Sequence, residues 1–541
     1  MKKNSIIICL ILIAFVSLCF KLYFVDFSIP VNSDNLAYVL NAIAHSNGDF
    51  NHPSERSIGW SLFLSPFFSL MNSENFLDYS NLAKIISIGV STSTIFVIYK
   101  VGRKFFDERY SIMVAVLFAF LPHLNYNSVM ALSEPLFILS ILISVYFLFN
   151  EKSKYIIISL AFVAFSYWIR LNGIVFLFIV SITYLLTFKK SRTFVTNYGI
   201  ALVVFLIIIA PMLIQKNDQF DDPFYSSYQD VMFSKNYEEL ITNISLDVKT
   251  SASSHIEKYG VLDFINTFFI TGFVNSLTIL SKISFPYLFI LIPFGILFSF
   301  RAFDQKSQYI RANWIFILTS LFFMSYILSI VPEKRFIFFL MPFLILFSVI
   351  PIQRVSEYGL STFSFSRKQK DLFLVIITII IIILSGFFAL RYDKVDTTLE
   401  NEKINFAEFL LQNLEGNTLR DFGGSTDYIN SIILLEYNDF NNFKINYWTD
   451  DIERKKFVFQ EIGISAENIE NLILKGESLN LNYLISNNNP TFYNTYVDEI
   501  YHNEEKYPYL IKIFDSNDSG YEKLKIKVFK IDYQKFHEIM K

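Results

Sequence analysis

The chain is 541 residues long, 53% hydrophobic and only 18% charged, with a formal net charge of −3. A water-soluble protein of this length would bury its apolar residues in cores and show more charge, so the composition points to a bilayer. The near-neutral balance gives no basis for nucleic-acid binding, and none is expected.

A spanning helix needs roughly 20 mostly apolar residues. In chain order, Ser5–Phe24, Leu82–Tyr99, Ser111–Leu124, Glu134–Phe149, Tyr155–Trp168, Gly173–Thr187 and Tyr198–Ile214 meet or approach that length. Ser284–Phe300, Asn313–Ile330, Phe336–Ile352 and Leu372–Leu390 follow. The pattern predicts a polytopic α-helical membrane protein with about eleven transmembrane helices. The first segment reads as an uncleaved helix, because no small-residue cleavage site follows it and Lys21 interrupts its end. The only cysteines, Cys9 and Cys19, both fall within it. On one helix they would sit roughly 15 Å apart, too far to bridge.

Lys and Arg placement orients the ladder. With Lys2 and Lys3 cytoplasmic, the same side receives Lys100, Arg103, Lys104 and Arg109, then Lys152 and Lys154, then Lys189, Lys190 and Arg192. Later inside loops hold Arg301, Lys306 and Arg311, and finally Arg354, Arg367, Lys368 and Lys370. The opposite loops are barer: Val25–Asn81 carries Arg56 alone and Pro122–Val129 carries none, while Gln215–Asp263 holds a few lysines but is a long loop, which counts for little under this rule. The alternation requires Phe264–Leu280 to be interfacial or re-entrant. Residues 1–390 then form the membrane domain, with external loops 25–81 and 215–263. Residues 391–541 form an external soluble domain. In that tail, Ile404–Leu414 has helical spacing and stops at Gly416, while Ile445–Trp448, Leu481–Ile485, Leu510–Phe514 and Leu524–Ile531 read as strands. A small α/β domain is expected. The sequons at Asn243 and Asn517 fall on the external side.

Charges at the edge of a bilayer are costly, so those that gather on one face deserve a chemical account. Asp34 lies in Val31-Asn-Ser-Asp-Asn-Leu-Ala-Tyr38, ahead of Val39, Leu40, Ile43 and Ala44 at helical spacing. Ser33 or Asp34 as the cap of an amphipathic helix on the membrane is the plainer assignment. A carboxylate at such an edge also suits a general base, and the two roles are compatible. In His52-Pro-Ser-Glu-Arg-Ser-Ile-Gly-Trp60, the lone cation Arg56 beside Glu55 suits a phosphate or carboxylate partner. His45, Asp49, His52 and Glu55 match no established metal-ligand spacing, so a solvated loop is preferred over a metal site. Glu134 opens a span with Ser133 as the expected cap and Pro135 in the first turn. Arg170, Lys334 and Arg335 read singly as snorkelling anchors. Together they set cations where the positive-inside rule disfavours them, which favours function.

At these residues the chain resembles the polytopic GT-C glycosyltransferases that use polyprenyl-phosphate sugars, above all their protein O-mannosyltransferase and aminoarabinose transferase branch. The resemblance rests on Ser33-Asp34 with Tyr38, Arg56…Gly59-Trp60, Leu132-Ser-Glu-Pro-Leu136, Ile169-Arg-Leu-Asn-Gly173 and Glu333-Lys-Arg-Phe336…Pro342. The family's first-loop motif often has two adjacent acids, whereas Asn35 follows Asp34 here. Tyr447-Trp-Thr-Asp-Asp451 is not the Trp-Trp-Asp motif of the oligosaccharyltransferase branch, which is disfavoured. The resemblance implies transfer of a sugar from a polyprenyl-phosphate donor to a hydroxyl on protein, lipid or glycan, with inversion at the anomeric carbon. It implies catalytic roles for Asp34 and Glu134, and substrate contacts from Tyr38, Glu55, Arg56, Arg170, Lys334 and Arg335. No cofactor is expected, and a divalent metal is left open. The competing class, a transporter or lipid flippase, would need charged or broken helices near the midplane, where these spans are almost free of ionisable residues.

Overall fold

The computed structural model describes residues 3–540 apart from 51–55, 72, 151, 189–192, 227, 238, 241–242, 244–247, 301–306, 394–395, 420–423, 437–458, 465, 467 and 489–494. The apolar runs form helices, the one open structure that satisfies every backbone N–H and C=O internally where water is absent. By length and composition seven helices can cross a membrane: Asn4–Phe24, Phe76–Phe105, Phe194–Phe220, Val261–Ser284, Ser307–Ile330, Lys334–Thr362 and Arg367–Arg391. An eighth is bent by 55° between Glu108–Ala119 and Pro122–Val129, where Pro122 removes a backbone donor and starts a new helix.

Four other expected spans are shorter apolar helices: Glu134–Leu148, Tyr155–Ile169, Leu171–Thr187 and Leu288–Ser299. By length alone seven or eight qualify; with the four shorter helices counted, the expected number of about eleven is reached if Val261–Ser284 does not cross. The apolar window of Lys334–Thr362 is 89% buried, against 22% for Phe194–Phe220. The former runs through the middle of the bundle and the latter presents its side chains to lipid.

Val261–Ser284 is long and apolar enough to cross, yet its contacts favour a path along one end of the bundle. Phe268 packs on Tyr326 at 5.5 Å, and Asn275 Nδ2 donates to the Leu328 carbonyl at 3.0 Å. At its far end, the Lys282 carbonyl meets His123 Nε2 at 3.2 Å, beside the break at Pro122.

The first-loop helix, Ser33–Ser46, rests on Gly59–Phe68. Its stripe of Leu36, Val39, Leu40 and Ile43 is fully covered by protein. This corrects the expectation of a helix lying on the membrane. An amphipathic stripe has the same spacing whatever covers it.

The tail opens with the helix Thr397–Asn413, capped by Asp396, which accepts from the Leu399 N–H. That start precedes the expected Ile404 by almost two turns. The chain turns at Gly416, whose φ of +115° suits glycine. Five strands follow: β1 Gly416–Leu419, β2 Phe459–Ile462, β3 Leu481–Asn487, β4 Leu510–Asp515 and β5 Ile526–Ile531, in sheet order β2-β1-β3-β5-β4. β1 pairs in parallel with β2 and β3, whereas β5 is antiparallel to β3 and β4. One sheet face packs on Phe406 and Leu410, the other on Ile469, Leu472 and Phe536. The expected strand at 445–448 and the Tyr447–Asp451 motif lie outside the described residues.

The tail docks on the first loop. Ser431 Oγ donates to the Val31 carbonyl at 2.8 Å and Ser33 Oγ to Asp427 Oδ1 at 3.3 Å. Asn243 is only 9% exposed and its amide donates to Ser234 Oγ, so that sequon is not open to modification in this fold.

Candidate active site

Asp34 sits in the first turn of the first-loop helix, and the expected capping does not occur. The N-cap is Asn32, without a side-chain cap bond, and Ser33 takes a left-handed φ of 46°. Both Asp34 oxygens are held by arginines instead. Oδ1 meets Arg56 Nη2 at 2.6 Å and Oδ2 meets Arg335 Nη1 at 2.5 Å. Arg335 Nε is held in turn by Glu333. The Arg56 guanidinium lies 6.0 Å from the Tyr38 ring centroid, in cation–π range. Burial pushes the Asp34 carboxyl up, but the charges of Arg56 and Arg335 outweigh it and hold the group below its usual range. Arg335 is therefore no snorkelling anchor: its guanidinium is committed to carboxylates.

A second pair lies beside the first. Glu134 begins the helix Glu134–Leu148 with Pro135 in the first turn, and its side chain is 2% exposed. Arg170 Nη1 bonds Glu134 Oε1 and lies 3.4 Å from Ser133 Oγ. Ser133 makes no cap bond, contrary to expectation. The Phe336 ring joins the two clusters, 5.3 Å from the Arg170 guanidinium and 5.6 Å from that of Arg335. Glu134 Oε2 and both amide atoms of Asn172 are buried without a hydrogen-bond partner. Buried polar atoms of that kind are costly unless a ligand or water completes them.

Close backbone contacts fix the frame. A Cβ on Gly59 would lie 2.5 Å from the Trp168 carbonyl carbon, and one on Gly173 would lie 2.5 Å from the Tyr167 nitrogen. Trp60 Nε1 donates to the Ala131 carbonyl at 2.9 Å. Three of the sequence motifs are thereby locked into one unit.

Of the remaining expected residues, Lys334 is exposed and makes no ion pair among the described residues. Glu55 and His52 lie outside the described residues. Among the described residues no group of three or more His, Cys, Asp or Glu could hold a metal. Tyr228 and Tyr237 were not singled out by sequence. Both hydroxyl pKa values are raised, chiefly by burial and further by fields that include those of Asp34 and Glu333. Tyr228 and Tyr237 therefore lie within electrostatic reach of the arginine cluster, and nothing in their spacing marks them.

A family model described as dolichyl-phosphate-mannose-protein mannosyltransferase matches residues 52–214. No curated protein matches the chain. The oligosaccharyltransferase of Archaeoglobus fulgidus in its apo form is similar at a TM-score of 0.59 with 12% identity, over 90% of this chain and 70% of that one. Its complex with an inhibitory peptide and a dolichol-phosphate aligns at 0.56 with 14% identity, again over 90% and 70%. ArnT from Cupriavidus metallidurans bound to undecaprenyl phosphate aligns at 0.51 with 9% identity, but over 96% of this chain and 97% of that one. The chain has the GT-C fold, a helical membrane bundle with a small α/β domain on the face that carries Asp34 and its arginines.

Proposed function

We propose that the chain is a membrane glycosyltransferase that moves a sugar from a polyprenyl-phosphate donor to a hydroxyl-bearing acceptor at the outer face of the cell membrane. The observation that carries this reading is Asp34 held between Arg56 and Arg335, a carboxylate resting where two guanidiniums could receive a phosphate. The Lys/Arg alternation supports a cytoplasmic N-terminus and an external domain from 391 to 541.

The donor lipid lies in the bilayer, so its phosphate reaches the bundle at the membrane edge. Planar guanidiniums bind phosphate oxygens bidentately. Phosphate that engages Arg335 and Arg56 takes over the N–H groups that now hold Asp34. The released carboxylate loses its acid-strengthening partners, its pKa rises, and it becomes an effective base for the acceptor hydroxyl. As Asp34 removes that proton, the hydroxyl oxygen attacks the anomeric carbon. The bond from that carbon to the phosphate oxygen breaks, and the arginines stabilise the departing phosphate. Attack opposite the leaving group inverts the configuration. Glu134 holds Arg170 with one oxygen and has the other available to a substrate hydroxyl. Tyr38 supports Arg56 from beneath.

Both Asp34 oxygens already meet guanidiniums, and two cations beside the carboxylate repel a third. Among the described residues the donor set there does not fit a divalent metal. The buried lysines argue against a transporter. Lys84 bonds the loop carbonyls of Asp26 and Ile29, Lys216 bonds the loop carbonyl of Tyr225, and Lys21 lies within the last turn of its helix, so none of the three buried lysines among the described residues is near a midplane.

The test is purified protein in nanodiscs with a labelled synthetic polyprenyl-phosphate sugar and envelope glycans, lipids and proteins as acceptors. Transfer of label with release of polyprenyl phosphate is expected. A donor that neither binds nor turns over with any acceptor class would overturn the reading.

A further inference from the structure

A cavity of about 360 Å³ lies on another side of the first-loop helix, bounded by the loop after the first span, the bent helix Pro122–Val129 and the first helix of the tail. That volume is at the small end of ligand pockets, about 300–1,000 Å³. Four carboxylates line it, from Asp26, Asp396, Glu400 and Asp427, against two ammonium groups from Lys84 and Lys403. Both ammoniums are occupied. Lys84 Nζ donates to the carbonyls of Asp26 at 2.7 Å and Ile29 at 2.5 Å. Lys403 Nζ lies 3.7 Å from Glu400 and 3.9 Å from Asp427. Asp396 also meets Lys523 Nζ at 3.7 Å, so four carboxylates stand against three ammonium groups; a net negative field remains, and each carboxylate has about four lone-pair sites to offer.

Asn35 makes this more than an acidic cluster. It lines the cavity, is only 6% exposed, and its Oδ1 has no hydrogen-bond partner. Leaving such an atom buried and unpaired is unfavourable, so the site is built for a donor that the chain itself does not supply. Tyr428 adds an aromatic wall, with its hydroxyl committed to Glu400 Oε2 at 2.6 Å.

We propose that this cavity binds the acceptor, and that the acceptor is a sugar unit of mono- or disaccharide size that presents several hydroxyl donors. The proposal rests on the transferase reading above. Carboxylates and an orphaned amide oxygen accept hydrogen bonds from vicinal hydroxyls, and an aromatic ring covers the apolar face of a pyranose. The negative field repels a phosphate, so the donor headgroup is directed to the arginines. Asn35 follows Asp34 directly, and successive residues project about 100° apart around a helix. A hydroxyl that extends from the Asn35 side past the first turn meets the Asp34 carboxylate. One helix thus separates an anion site from a hydroxyl site.

The test uses full-length protein in nanodiscs and saturation-transfer NMR with methyl glycosides of glucose, galactose and mannose, beside a short Ser/Thr peptide. Undecaprenyl phosphate binding is measured in parallel by thermal stabilisation. At least one glycoside should receive saturation, reduced fivefold or more in Asn35→Leu and in the near-isosteric Glu400→Gln, and retained in Arg335→Ala. Undecaprenyl phosphate should show the reverse pattern. Unfolding midpoints establish that each variant is folded, and Glu400→Gln keeps the test valid if Asn35→Leu is not. Wild-type protein that binds undecaprenyl phosphate but no glycoside would overturn the proposal and leave the transferase reading intact. So would glycoside binding unaffected by Glu400→Gln, or Asn35-dependent binding of the peptide instead. Loss of undecaprenyl phosphate binding in the wild type would instead strike at the transferase reading.

Discussion

Asp34→Asn should lower turnover and tighten donor-lipid binding at the same time. In the free protein the carboxylate makes two charge-assisted contacts, at 2.6 Å to Arg56 and 2.5 Å to Arg335. Hydrogen bonds to charged groups are worth about 1.5–3 kcal/mol each. The Arg56 side chain is 37% exposed, so solvent screening discounts its share. Donor phosphate must displace the carboxylate from these guanidiniums, and asparagine is a far weaker competitor. Affinity for undecaprenyl phosphate should rise about tenfold, or ~1.4 kcal/mol. Turnover should fall by roughly 10²–10⁴, the usual cost of a lost acid–base group. The assay pairs transfer from a synthetic donor with lipid titration of the same protein. Near wild-type turnover in a folded variant would end the base assignment. Weaker lipid binding would show that Asp34 organises the arginines instead of competing for them.

Arg335→Ala should weaken donor affinity by about 1.5–3 kcal/mol, while Arg109→Ala, which breaks a pair with Asp371 at 3.0 Å away from the site, should leave it unchanged in the same titration. Gly59→Ala forces a Cβ to 2.5 Å from the Trp168 backbone and should destabilise by about 1–3 kcal/mol, read as a lower unfolding midpoint with reduced donor affinity. Asp34 has a depressed pKa in the fold, so its stabilisation is complete above the unfolded carboxyl value of about 3.9 and is lost as pH falls through the lower folded value. The midpoint difference between wild type and Asp34→Asn should hold from neutral pH to about 5 and close in stronger acid. Cysteine labelling at the exposed Ser366 and Asp518 should mark the second alone from outside intact cells.

The charged residues were legible because an apolar chain keeps few of them, and Asp34, Arg56, Glu134, Arg170 and Arg335 do converge in two adjacent clusters. Their pairing was not legible. Arg335 is 301 residues from Asp34, and no local spacing records that contact. The caps expected from Ser33, Asp34 and Ser133 are absent for a related reason: their oxygens face outside their own helices, and Asp34 and Ser133 meet guanidiniums from distant segments. The membrane-surface reading of Ser33–Ser46 failed because its stripe is as suited to Gly59–Phe68 as to lipid. β1 and β2 are four residues each, too short for alternation to reveal.

The ion pairs also constrain how the chain threads the membrane. Asp34 touches Arg335, so the chain between them crosses an even number of times. Phe76–Phe105, the bent pair, the three short helices from Glu134 to Thr187, Phe194–Phe220, Leu288–Ser299 and Ser307–Ile330 supply an even number of crossings if each passes through. A further crossing by Val261–Ser284 would make the number odd and put Arg335 on the wrong face. The same parity applies to the tail, since Ser431 bonds the Val31 carbonyl and only two more helices, Lys334–Thr362 and Arg367–Arg391, intervene. Length and apolarity allow Val261–Ser284 to cross, but the electrostatics of the site weigh against it. The contacts of that helix with Tyr326 and Leu328, a few residues before Arg335, hold it instead at the end of the bundle that carries the arginines.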